Sequence, residues 1–130
     1  MSVGVLLLTH AGLGGALVGA ARGVVGALPL RIEVVEFANG DDVAAYGHRA
    51  ARAMRGLDDG DGVLLLVDLY GSSPSNVAAD IGRQGTATRR VSGLNLPMLL
   101  RVLNYPEQTL DELAATAAAG ARSGVVLDSA

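Results

Sequence analysis

Val63-Leu64-Leu65-Leu66-Val67-Asp68-Leu69-Tyr70-Gly71-Ser72-Ser73-Pro74 is the stretch on which the fold turns. It begins as a strand, Val63 to Asp68, that is apolar until its last residue. Gly71-Ser72-Ser73-Pro74 then opens a helix, with Ser73 placed as the N-cap and Pro74 as the first helical residue. A strand with no polar face is covered on both sides, which is the signature of a parallel sheet. Val3-Gly4-Val5-Leu6-Leu7-Leu8 repeats the pattern nearer the N-terminus and ends on Thr9-His10.

Outward from these two runs, strands and helices alternate. Leu13, Leu17, Ala21, Val24 and Leu28 recur at three and four residues and predict a helix closed by Pro29. Its internal glycines weaken it, so packing must hold it. Ile32, Val34 and Phe37 mark a second strand. Asn39-Gly40-Asp41-Asp42 opens a helix to about Gly56, with carboxylates in its first turn, burying Val43, Tyr46, Ala50 and Met54. Asp58 to Gly62 is a loop, Arg90 to Leu94 a short fourth strand, and Leu96 to Tyr105 helical. Thr109-Leu110-Asp111-Glu112 is a capping box that starts a last helix, to about Arg122. Val125-Val126-Leu127 is available as an antiparallel edge strand. The expected architecture is a doubly wound α/β domain over residues 1–130: an open, mostly parallel sheet of order 2-1-3-4 with helices on both faces.

The composition narrows the function. The 130 residues are 50% hydrophobic, with one Phe, three Tyr and no Trp, so Val, Leu, Ile and Ala must build the core. A net charge of -3 gives no basic footprint for nucleic acid. All ten basic residues are Arg, which excludes lysine chemistry, and without Cys there is no thiol nucleophile or disulfide. Val3 to Ala21 is apolar enough to suggest a membrane span. That would bury the His10 imidazole in lipid without a flanking basic cluster, and a strand followed by a helix explains the same residues. A cytoplasmic protein, peripheral to a membrane permease at most, is the expectation.

In a doubly wound sheet, ligands bind beyond the carboxyl ends of the strands where strand order reverses. For order 2-1-3-4 the reversal lies between the first and third strands, which end in His10 and Asp68. A carboxylate on one imidazole nitrogen fixes the tautomer and leaves the other as a nucleophile. Ser72, Ser73 and the backbone at a helix N-terminus suit an anion such as phosphate. The plainer reading is that His10 is a hydrogen-bonded strand end and Asp68 a loop cap. His48, near Arg52 and Arg55, reads as a solvated surface residue. Arg83, Arg89 and Arg90 read as a solvated edge before an acidic docking site.

Leu7-Leu8-Thr9-His10-Ala11-Gly12, Leu66 to Asn76, and Ser92-Gly93-Leu94-Asn95-Leu96-Pro97-Met98-Leu99 occur in an order and spacing that resembles the mannose-family IIA component of the bacterial sugar phosphotransferase system. The resemblance covers essentially the whole chain. It implies a phosphotransferase with a phosphohistidine intermediate: His10 accepts phosphate from the phosphohistidine carrier protein and passes it to a IIB component. It implies that Asp68 orients the ring and offsets its charge, and that the loop with Gly71, Ser72 and Ser73, together with Thr9, embraces the phosphoryl group. It also implies a homodimer exchanging an edge strand near the C-terminus. With two His and no Cys no metal site is expected, and no cofactor is expected either. Two departures stand out: Ala11-Gly12-Leu13-Gly14 is more glycine-rich than the family pattern, and Ser72 replaces a frequent glycine. No IIB segment lies within the sequence, so the expected acceptor is a separate chain. The role is sugar uptake or a regulatory branch.

Other classes share parts of this constellation. The phosphotransfer subunit of dihydroxyacetone-kinase systems resembles it in fold and histidine. A receiver domain needs a late lysine and acidic groups after the first strand, and both are missing. An FMN binder needs aromatics to sandwich the flavin. A hydrolase could use His10, Asp68 and Ser72 or Ser73, but the G-x-S-x-G elbow is absent. A non-catalytic regulatory binding module remains the alternative from a different class.

Overall fold

The structure is a computed structural model that describes residues 2–129. Four parallel strands, β1 (Gly4–His10), β2 (Ile32–Phe37), β3 (Val63–Val67) and β4 (Thr88–Ser92), form one sheet of order β2-β1-β3-β4. This is the order expected from the apolar runs. The register sets Leu8 beside both Val35 and Val67, and His10 beside Phe37, so β1 ends level with β2 and runs two residues past the end of β3.

Side-chain alternation divides the core into two layers. Val5, Leu7, Leu64 and Leu66 face α1 (Gly14–Val25), α4 (Leu96–Leu103) and α5 (Leu110–Ser123). Leu6, Leu8, Leu65 and Val67 face α2 (Val43–Leu57) and α3 (Ser73–Ile81). All eight are fully buried, each contributing roughly 1.5–3 kcal/mol of transfer free energy. Both faces are therefore dry, which explains why Gly4 to Leu8 and Val63 to Val67 carry no polar side chain.

Several boundaries differ from the sequence reading. α1 ends at Val25 because Gly26 adopts a left-handed φ of +79°, before Pro29 is reached. Leu17, Val18, Ala21, Val25 and Leu28 pack inward, while Val24 is 66% exposed. Gly14 is required where it stands: a Cβ there would lie 2.6 Å from Val34 Cγ1 and 2.8 Å from Thr9 Oγ1. α2 has no acidic residue in its first turn, because Asp42 is its N-cap and Asp41 turns back to accept from the Ala38 N–H. Val43, its first residue, is exposed, and Tyr46, Ala50, Ala51, Met54 and Leu57 are buried.

β4 starts and ends two residues earlier than expected, although Leu94 N–H still donates to Val67 O. α4 ends at Leu103, short of Tyr105. The capping box of α5 forms in both directions, Thr109 N–H to Glu112 Oε1 at 2.9 Å and Glu112 N–H to Thr109 Oγ1 at 3.3 Å. The expected C-terminal edge strand is absent among the described residues. Gly124 alone separates α5 from Val125-Val126-Leu127. These three residues stand 79%, 71% and 98% exposed.

Candidate functional site

His10 and Asp68 meet as the switch-point reading requires. Asp68 Oδ2 accepts the His10 main-chain N–H at 2.9 Å and lies 2.8 Å from His10 Nδ1. The carboxylate side chain is 7% exposed and the imidazole 46%, so a buried acceptor anchors a ring that stays open to solvent. An ionised carboxylate only accepts, so Nδ1 carries the proton and Nε2 keeps its lone pair. The other carboxylate oxygen, Oδ1, is buried with no hydrogen-bond partner among the described residues.

Tyr46 lies in the core layer of Leu8 and Val67. Its ring is fully buried against Phe37, centroid to centroid 5.1 Å, and its hydroxyl donates to Val35 O at 2.8 Å. Burial, and then the Asp68 charge, push the phenol well above its ordinary range, so it remains a neutral donor.

The loop after Asp68 divides its tasks differently from the sequence reading. Gly71 takes a left-handed φ of +85°, which turns the chain toward α3. The N-cap of α3 is Ser72, one residue before the expected Ser73. Ser72 Oγ donates to Leu69 O at 2.6 Å and accepts from Ser75 N–H at 3.4 Å. The main-chain N–H groups of Gly71 and Ser73 and the Ser73 hydroxyl have no partner among the described residues. Thr9 is fully buried, and its hydroxyl donates to His10 O at 2.9 Å and accepts from Gly14 N–H at 3.0 Å.

Two further residues bear on the site. Glu36, at the end of β2, accepts from the N–H groups of Gly12 at 2.9 Å and Gly15 at 2.8 Å. Those two bonds, Gly12 first, hold its carboxyl below the usual glutamate range. Nothing in the sequence marked Glu36, since its partners belong to a different element. Arg90 donates to Ser75 O at 3.0 Å and lies 5.8 Å over the Tyr70 ring, tying β4 to the loop. Arg83 and Arg89 are paired with Asp80 and Asp111, while His48 lines an α2–α3 groove away from His10.

A cavity of about 590 Å³ lies at the opposite end of β2, lined by Arg31, Arg49 and Arg52. Arg31 and Arg49 are ion-paired to Asp59 and Asp41. His10 and Asp68 are not among the residues that line it. Among the described residues no group of three His, Cys, Asp or Glu converges to hold a metal, and no helix is long and apolar enough to cross a membrane.

Comparison with known proteins bears on the family and the fold. The mannose-specific EIIAB component of Escherichia coli K12 is 28% identical over 127 residues, 96% of this chain and 39% of that protein. The fructose-specific EIIA component of Bacillus subtilis is 32% identical over 73 residues, 56% of this chain and 50% of that protein. This chain thus spans about two-fifths of the length of the first relative and half of the second. The mannose/sorbose-specific IIA subunit from Enterococcus faecalis superposes with a TM-score of 0.90 at 25% identity, covering 100% of this chain and 97% of that one. A IIA protein associated with the fucose utilization operon of Streptococcus pneumoniae shares the fold, with a TM-score of 0.77 at 20% identity over 98% and 96% of the two chains. The model of the PTS system fructose IIA component family matches residues 4–118, and the chain belongs to that family.

Proposed function

We propose that this chain carries a phosphoryl group on His10 Nε2 within a sugar phosphotransferase system. The observation that carries the reading is the contact of Asp68 Oδ2 with Nδ1 of a half-exposed imidazole. The Nε2 lone pair attacks the phosphorus of a phosphohistidine on the donor carrier protein. A new N–P bond forms, the donor N–P bond breaks, and its electron pair returns to the donor ring. His10 keeps its Nδ1 proton throughout, so the phosphorylated ring is cationic and the Asp68 carboxylate offsets that charge. The reverse geometry hands the group to a IIB component.

The phosphoryl oxygens are held on the α3 side. Ser73 and the free N–H groups of Gly71 and Ser73 are the donors, aided by the helix dipole, about 0.3–1 kcal/mol when exposed. Ser72 acts through the cap that shapes this loop, and Thr9 through the turn that follows His10. Leu13, Leu69 and Tyr70 are 40%, 60% and 75% exposed within three residues of His10 or Asp68, an apolar rim suited to protein partners. Val125-Val126-Leu127 and the open β4 edge support a homodimer that exchanges this segment. We place the domain, over residues 1–130, in the cytoplasm, serving uptake or a regulatory branch. Incubation with phosphoenolpyruvate, enzyme I and the phosphohistidine carrier tests the reading: an acid-labile phosphate lost in His10→Ala is expected, and its absence from the wild type would overturn it.

A further inference from the structure

In doubly wound folds, a glycine-rich turn from the first strand into its helix is the ordinary phosphate cradle, because backbone N–H groups converge there at a helix N-terminus. Ala11-Gly12-Leu13-Gly14-Gly15 has that composition and follows β1 directly. α1 nevertheless lacks a capping side chain of its own: Leu13 is its N-cap and no acidic residue lies in its first turn. Its donors are taken from outside the helix. Glu36 accepts from Gly12 and Gly15, Thr9 Oγ1 from Gly14, and His10 O from Leu13.

The strand register makes this arrangement systematic. Thr9 and Glu36 are paired neighbours on β1 and β2, and both side chains reach the α1 face. His10, the next residue along β1, alternates to the α3 face with Leu6 and Leu8. The sheet thus sends the nucleophile to one helix N-terminus and two acceptors to the other.

We propose that Glu36 is a built-in anion that fills the phosphate cradle of the β1–α1 turn and so confines the phosphoryl group to the α3 side of His10. The depressed carboxyl pKa accords with a charge held by two amides. A bound phosphate would need the same N–H groups and would meet a like charge. Glu36 is a positioning residue, since it acts through the turn that carries His10. The filled cradle stands on the geometry alone; its effect on transfer rests on the function proposed above.

Glu36→Gln tests it, because an amide side chain presents one acceptor where two are needed and carries no charge. Backbone N–H resonances are followed as inorganic phosphate is added to the wild type and the variant. In the wild type Gly12 and Gly15 stay silent; in the variant they shift with phosphate, and single-turnover transfer to His10 slows by about two- to fivefold, the range of a helix-terminus charge effect, with KM for the donor unchanged. Gly12 and Gly15 responding in the wild type overturns the proposal. So does a variant in which they stay silent, whether or not Gly71 and Ser73 respond. A lower melting temperature with no change in amide response or transfer would reduce Glu36 to a structural cap. The phosphate titration needs no phosphorylated His10, so it reads the cradle even where the donor system leaves the wild type unmodified.

Discussion

Replacing Asp68 with asparagine separates ring orientation from charge. Asp68 Oδ2 accepts two bonds, one from the His10 main-chain N–H at 2.9 Å. That donor cannot reverse, so the substituted side chain must point its carbonyl oxygen at it and its NH₂ toward the buried Oδ1 position. The same carbonyl then still accepts from Nδ1, and the tautomer survives. The lost quantity is the negative charge facing the cationic phosphorylated ring. Hydrogen bonds to charged groups are worth about 1.5–3 kcal/mol against about 0.5–1.5 for neutral ones, a difference of about 1–2 kcal/mol. That difference corresponds to a rate about 5- to 30-fold lower. Loss of the tautomer would be far more severe, about 10⁴-fold in a protease triad. Rapid-quench phosphorylation with excess phosphorylated carrier gives the rate, and ¹⁵N spectra of the His10 ring give the tautomer. The expected result is a loss within that window with Nδ1 still protonated. A 10⁴-fold loss with the proton moved to Nε2 would refute the reasoning, as would a wild-type rate.

Four further substitutions sort structural from chemical roles. Ser72→Ala removes the α3 cap and should cost about 1 kcal/mol of stability. Ser73→Ala should leave stability within about 0.5 kcal/mol but shorten the phosphohistidine half-life; urea melts and acid-labile phosphate decay separate the two, and interchanged effects would reassign the cap. Gly14→Ala forces a methyl group against Val34 and Thr9 and should destabilise by about 1–3 kcal/mol, with an unchanged urea midpoint as the contrary result. Glu36 has a folded pKa below its unfolded value of about 4.3, so its stabilisation is present above that value and lost as pH falls through the folded pKa. Glu36→Gln should therefore lower the urea midpoint more at pH 7 than at pH 3, and an equal loss at both would contradict the assignment.

The sheet was legible because Gly4 to Leu8 of β1 and all of β3 are apolar, which only a doubly covered strand tolerates. His10, which ends β1, and Asp68, which directly follows β3, could be paired once the strand order was inferred. Local signals were less exact where two adjacent residues were chemically equivalent: Ser72 and Ser73 are both good caps, and the φ of Gly71 decided between them. Val24 and Val25 posed the same problem on α1. Glu36 was illegible because its function lies in amides more than twenty residues away, and an acidic residue on an edge strand looks solvated. Val125 to Leu127 has the composition of a strand, but among the described residues it pairs with no strand and stands exposed.

The central claim is that His10 holds the phosphoryl group, and intact mass after incubation with phosphoenolpyruvate, enzyme I and the phosphohistidine carrier tests it most directly. The account predicts one phosphate per chain, labile in acid, stable in base, and absent from His10→Ala. A wild-type chain left unmodified by an active donor system, or an adduct that persists in His10→Ala, would contradict it.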